Sequence, residues 1–167
     1  MDLRELQRPI KERYRGDPAA ARFTLTARGS QADAPVGCNV DLGRALYQAE
    51  AHPGVGGPGT AACSGDLLLG ALAACAQLTC QMVATSMGLR TERIEAVVEG
   101  DLDLRGTLGM DLEVSPGFTE IRLRFEVDAP EATRDQLDEL IGKTERYCTV
   151  LQTLQGQPRI VTELGGP

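Results

Sequence analysis

The stretch SGDLLLGALAACAQLTCQMVATSMGL (64–89) decides how this chain reads, because nothing from Leu67 to Leu89 is charged. Ser64 is a candidate N-cap, Asp66 places negative charge at the positive end of a helix, and Gly88 suits the residue just past its last turn. The pattern predicts a helix of about 22 residues, roughly 33 Å long. That is long enough to span a bilayer. Yet Gln77, Thr79, Gln81, Thr85, Ser86 and many alanines leave it only weakly hydrophobic, and no basic cluster sits close beside it. The expectation is a helix buried in protein and surrounded on all sides, by its own sheet or by another subunit.

Working outward, ARFTLTARG (21–29) and VGCNVDLG (36–43) read as strands separated by SQADAP, with RALYQAE (44–50) a possible third. Residues 51–65, AHPGVGGPGTAACSG, form a glycine- and proline-rich loop expected to be either mobile or wrapped round a site. After the helix, IEAVVEGDLDLRG (94–106) has strand character. Leu108, Met110, Leu112 and Val114 alternate, SPGF makes a turn, and Ile121, Leu123, Phe125 and Val127 alternate again, so 107–128 reads as a hairpin or meander. Thr133 to Gln136 is a capping-box pattern opening a second helix, with Leu137, Leu140, Ile141 and Thr144 inward, that reaches toward Cys148. PRIVTEL (158–164) is a candidate last edge strand. At the start, Leu3, Leu6, Ile10 and Tyr14 recur at helical spacing across residues 2–14, although Pro9 interrupts them. The order is β-rich, long helix, β-rich, second helix, strand: an α+β fold. At 167 residues it fits one domain spanning 1–167, with 1–20 a short accessory segment.

Composition narrows the function. The net charge is −7 and no lysine/arginine run forms a footprint for nucleic acid, so that partner class is disfavoured. The first residues, MDLRELQRPIKERYRGDP, lack the apolar core of a signal peptide. Export is therefore not expected, a cytoplasmic location is, and the five cysteines should be reduced at rest.

Those cysteines (38, 63, 75, 80 and 148) include no C-x₂-C pair, and His52 is the only histidine, which argues against a metal centre. A Cys–His hydrolase is equally weak, since nothing fixes a role for His52 in its loop. On the long helix, positions 75 and 80 point about 140° apart and cannot face the same pocket. Cys75 shares a stripe with Leu68, Leu72, Leu78, Thr79 and Met82; Cys80 shares another with Leu69, Ala73, Ala76, Ala84 and Met87. By composition either is compatible with a buried, inert thiol.

CSGDLLLGALAACAQLTCQMVATSMGL, followed some seventy residues later by TERYCTVLQTL, resembles the superfamily of osmotically induced and organic hydroperoxide resistance proteins (OsmC/Ohr). Those proteins carry a leucine/alanine-rich helix with an "ALaaC" cysteine and a second cysteine in a "YCpv…tL" segment, which Cys75 and Cys148 match. The GGPG loop fits the glycine-rich approach to that helix, and EGDLDLRGTLG through RLRFEVD fits the central strands. The resemblance implies antiparallel sheets with a long central helix, in an intertwined homodimer. It also implies a thiol peroxidase that reduces organic hydroperoxides to alcohols through a sulfenic acid and then a disulfide, with Cys75 attacking and Cys148 resolving. No cofactor is implied beyond an external dithiol reductant. Cys38, Cys63 and Cys80 would be structural or incidental.

One departure bears on activity. Peroxidase members carry a proline–glutamate pair at the start of the helix, the glutamate orienting an arginine that activates thiol and peroxide; here the stretch is Ser64-Gly65-Asp66, with glycine at the glutamate position. Asp66, one residue on, is the candidate substitute, and equally a first-turn helix charge. Arg15, Arg44 and Arg105 are candidate arginines, with Arg44 preferred. The alternative function is a module of the same fold that binds or senses an apolar ligand with little turnover.

Overall fold

The computed structural model of the chain describes residues 3–31, 38–41, 51–60 and 62–164. It opens with helix α1 (Leu3–Gly16), which carries Pro9 within it. Strands β1 (Arg22–Gln31) and β2 (Cys38–Asp41) follow, then helix α2 (Ser64–Ser86) and strand β3 (Arg93–Asp103). A one-turn helix α3 (Leu104–Thr107), strand β4 (Phe118–Asp128) and helices α4 (Arg134–Tyr147) and α5 (Thr149–Gly156) complete the order. The four strands form one antiparallel sheet in the order β2-β1-β3-β4. The register runs from Arg22↔Asp103 to Ser30↔Glu95 between β1 and β3, and from Arg93↔Asp128 to Leu102↔Phe118 between β3 and β4.

Strand alternation decides which face α2 covers. Ala96 and Val98 of β3 are fully buried and meet Leu69, Leu72, Ala73 and Ala76 of α2, while Ile94 meets Cys80 and Ala84 further along. Leu123 and Phe125 of β4 and Val150, Leu151 and Leu154 of α5 pack round the edge of this core. Each fully buried leucine stabilises by about 1.5–3 kcal/mol relative to exposure. The opposite face of the sheet carries ion pairs within and between strands, with Glu95 between Arg28 and Arg93, and Arg122 among Glu99, Asp101 and Glu120. A smaller core gathers Tyr14, Ala21 and Leu104, and the buried Tyr14 hydroxyl donates to the Gly54 carbonyl at 2.6 Å.

Helix α2 starts one residue earlier than its sequence implies: Cys63 is the N-cap and Ser64 the first helical residue. Its end is as expected. Gly88 sits at φ 67°, its N–H donates to Thr85 O at 3.0 Å, and Leu89 N–H donates to Ala84 O at 2.9 Å, a Schellman closure. Leu89 also packs into the same cluster as Val83 and Ala84, the apolar contact that accompanies this motif.

Two strand expectations fail. Residues 107–128 are not a hairpin: α3 and a run of turns occupy 104–117, and pairing starts only at Phe118. The cause is local. The Asp103 carboxylate accepts the Arg105 N–H at 3.0 Å and grips its guanidinium at 2.7 Å, which curls the chain out of the ladder. Gly109 at φ 62° and the side-chain turns at Asp111 and Ser115 keep it out, and Leu112 is left 93% exposed. PRIVTEL forms no strand either; 157–164 has no regular structure, and Ile160, Val161 and Leu164 are exposed. The possible strand at 44–50 lies outside the described residues. The Thr133 capping box forms as expected, with Thr133 Oγ1 accepting from Gln136 N–H and Gln136 Oε1 from Thr133 N–H.

At Gly100, side chains of β4 and α2 crowd the backbone of β3. A Cβ there would stand 2.6 Å from the Phe118 ring and 3.2 Å from Leu69 Cδ2. Gly100→Ala should therefore lower stability by about 1–3 kcal/mol, the usual cost of overpacking. Urea unfolding checks this; an unchanged midpoint would show that the ring and helix shift freely.

Candidate functional site

The sequence sends two cysteines toward one another from different elements. Cys75 lies midway along α2 on the side turned from the sheet, half-buried, whereas Cys80 is fully buried on the sheet side. Cys148 closes α4 and opens α5: its N–H donates to Thr144 O at 2.9 Å and its carbonyl accepts Gln152 N–H at 2.9 Å. A residue at such a junction cannot swing far, because the backbone on both sides is helical. Its thiol is fully buried in the core cluster against which Cys75 packs.

The electrostatics of this pair are opposed. Burial is the largest influence on Cys148 and pushes its thiol up to about 11. The N–H groups of Leu151 and Val150, in the first turn of α5, point at the sulfur and favour the thiolate, while the contact with Cys75 disfavours it. Cys148 therefore rests as a protonated thiol, a state suited to delivering a proton as well as sulfur. All four described thiols, Cys63, Cys75, Cys80 and Cys148, are free.

The other cysteines stand apart. Cys80 lies against Thr144 of α4, and burial pushes it up to about 11, with the Thr144 hydrogen bond opposing. Cys63, at the start of α2, is buried; its thiol is pushed up first by burial and further by the neighbouring Asp66 carboxylate, against which the Asp66 and Gly65 N–H groups pull down. The Cys38 side chain lies outside the described residues.

Asp66 is engaged in capping: its Oδ2 accepts the Cys63 N–H at 2.7 Å. Of the candidate arginines, Arg44 lies outside the described residues, Arg15 is exposed in the last turn of α1, and Arg105 is bound to Asp103 and Asp111. Neither described arginine is brought to Cys75. Among the described residues no three His, Cys, Asp or Glu side chains converge as a metal site would require.

The loop at 51–65 does surround a site at the start of α2, but the residues that complete it were not legible in the sequence. A cleft of ≈ 660 Å³ opens there, walled by Val55, Leu68, Leu102, Leu104 and Phe118 and rimmed by His52, Cys63, Ser64 and Gly65. His52 Nδ1 accepts the Gly54 N–H at 3.0 Å, and burial depresses its pKa against the pull of Asp66, so the ring is neutral near pH 7. Leu68 lies seven residues before Cys75, on the same stripe and about 10.5 Å along the axis. The HPG turn was the available signal, but a lone histidine in a loop gives no hint of what it rims.

The family model for OsmC-like proteins matches residues 57–163, and the chain belongs to that family. A crystal structure of an OsmC-like hydroperoxide resistance protein from Jannaschia sp. CCS1 shares the fold, with a TM-score of 0.61 at 15% identity over 88% of this chain and 97% of that one. No curated protein matches.

The Cys80 thiol gives a pH test. A folded-state value raised from 9.0 to about 11 means that the unfolded chain loses this proton first. The stabilisation is full below about pH 9 and is lost as pH rises toward 11. The stability difference between wild type and Cys80→Ala should shrink between pH 8 and pH 11 in urea titrations. A constant difference would contradict burial of the neutral thiol.

Proposed function

We propose that this protein is a two-cysteine thiol peroxidase acting on organic hydroperoxides. The observation that carries the reading is the convergence of Cys75 and Cys148 from separate helices on one core cluster, near enough for Cys75 to disfavour the Cys148 thiolate. Membership of the OsmC-like family, and a shared fold with a protein described as a hydroperoxide resistance protein, support it.

In the proposed cycle the Cys75 thiolate attacks the terminal oxygen of R–O–O–H. The O–O bond breaks, the alkoxide takes a proton and leaves as the alcohol, and Cys75 becomes a sulfenic acid. Cys148 then condenses with that sulfenic acid; its sulfur forms the disulfide and its proton leaves with the hydroxyl as water. An external dithiol opens the disulfide, and no cofactor is needed. Half-burial lets the substrate reach Cys75, while the buried Cys148 waits where the product sulfenic acid forms. The cleft beside Leu68 takes the apolar substituent, on the same stripe as Cys75. Arg44 is assigned the activating cation and Asp66 the carboxylate that orients it, in place of the glutamate that Gly65 removes. A reducing compartment, the cytoplasm, suits thiols that must be regenerated.

The assembly proposed is an intertwined homodimer. Its support is the outward stripe of α2, where Leu68 is 38% and Met82 50% exposed on either side of Cys75. A second chain would cover this stripe, and sedimentation at micromolar concentration should then return twice the chain mass; a stable monomer would remove the proposal. The second reading, a module that binds an apolar ligand without turnover, is favoured by Gly65 and by the cleft.

Two variants separate these readings. Cys75→Ser should abolish consumption of cumene hydroperoxide. Cys148→Ser should allow one turnover and then stall as a sulfenic acid that dimedone traps. Consumption by Cys75→Ser at the wild-type rate would refute the assignment.

A further inference from the structure

Helix α2 is apolar on every side. Leu67, Leu68 and Leu69 are consecutive, and the stripes carrying Cys75 and Cys80 are both uncharged, the first richer in leucine and the second in alanine. Burial of apolar area is non-directional. Side-chain size favours the alanine-rich stripe toward the sheet but leaves the rotation loosely set, and a turn of about 140° about the helix axis would carry Cys80 to the direction that Cys75 faces.

One residue adds directional contacts to this packing. Gln77 is fully buried, and its side-chain amide lies across β3 as a neighbouring strand would. Its Oε1 accepts the Ala96 N–H at 2.9 Å, and its Nε2 donates to the Ile94 carbonyl at 2.9 Å and to Gln81 Oε1 at 3.2 Å. The amide fits in one orientation only, since a flipped one would set donor against donor and acceptor against acceptor. A rotated helix would strand the Ala96 N–H, the Ile94 carbonyl and the Gln77 amide in an apolar interior. Single buried polar residues fix the register of apolar helices in other contexts by the same logic.

We infer that Gln77 is a positioning residue that sets the rotation of α2 and thereby presents Cys75, rather than Cys80, to Cys148. The geometry is consistent residue by residue. Cys75 lies about 200° round the helix from Gln77, on the far side from the sheet, and Cys80 about 60° from it. Cys80 is fully buried and Cys75 half-buried. Gln81 acts only as a prop, lending its Oε1 to Gln77 while its own buried Nε2 has no hydrogen-bond partner among the described residues. The inference deepens the two-cysteine reading and rests on it for its consequence, though the rotation itself is tested separately.

The experiment uses the reduced full-length chain. Pulses of N-ethylmaleimide under native conditions at pH 8, followed by peptide mass mapping, should label wild-type Cys75 at least tenfold faster than Cys80. Gln77→Met keeps side-chain length and apolar volume but removes both bonds to β3. It should bring the Cys75-to-Cys80 labelling ratio down by tenfold or more, and lower the equilibrium constant of the Cys75–Cys148 disulfide against dithiothreitol by a similar factor. Val98→Ala, a core truncation on the same strand, should lower stability and leave the labelling ratio alone. Wild-type ratio and disulfide equilibrium in Gln77→Met would overturn the inference, as would an equal change of ratio in Val98→Ala. Should Gln77→Met fail to fold, wild type alone decides: labelling of Cys80 as fast as Cys75 overturns the proposed rotation, and a tenfold preference for Cys75 upholds it. A wild type that labels as expected but forms no Cys75–Cys148 disulfide would instead sink the peroxidase reading and leave the positioning role of Gln77 standing.

Discussion

The contact between α2 and β3 is the constraint on which the rest of the structure depends. A 23-residue helix whose one charge is Asp66 in its first turn has no polar face to turn toward water, so its placement is settled by what it lies on. Here the inward residues of β3 from Ile94 to Gly100 are small or β-branched, and Gly100 leaves no room for a Cβ beside Phe118 and Leu69. That lets the helix sit low on the sheet. The Gln77 amide then joins the strand's own hydrogen bonding, which adds direction to a contact that packing alone would leave loosely specified.

With α2 seated, the position of Cys148 follows from a second junction. Helix α4 packs on the far end of α2, where Cys80 and Leu140 share a cluster, and α5 folds back toward Leu72 and Ala76. Cys148 is the hinge between the two, held by Thr144 on one side and Gln152 on the other. Both thiols thus sit on backbone that is helical in both directions, a firmer mounting than a loop gives. The energetic cost is a buried Cys148 thiol that resists ionisation; the N-terminus of α5 offsets that cost in part.

Much of this was legible in the residues. The long helix, its glycine stop, the Thr133 capping box and the opposed directions of Cys75 and Cys80 all follow from helical periodicity and end chemistry. The misreadings share a cause. Leu108, Met110, Leu112 and Val114 alternate like a strand, but alternation says nothing of the Asp103–Arg105 interaction that turns the chain away before a strand can form. Ser64 was the expected cap because serine is the commoner cap, whereas Cys63 takes the place through its backbone N–H and Asp66. The PRIVTEL pattern has strand composition with no partner strand beside it among the described residues. The loop at 51–65, read as one that could wrap round a site, does line the cleft, but the other wall, from Leu102 to Phe118, is brought there only by the fold. Gln77 was visible as a polar residue in an uncharged run, yet its target on β3 was not.

The central claim is that Cys75 and Cys148 form one redox pair within a chain. The most direct measurement is limited oxidation with one equivalent of cumene hydroperoxide per chain, followed by alkylation of the remaining thiols and mapping of crosslinked peptides. The account predicts a dominant Cys75–Cys148 disulfide joining the two peptides of a single chain. A dominant crosslink through Cys63 or Cys80, or one joining two chains, would contradict it.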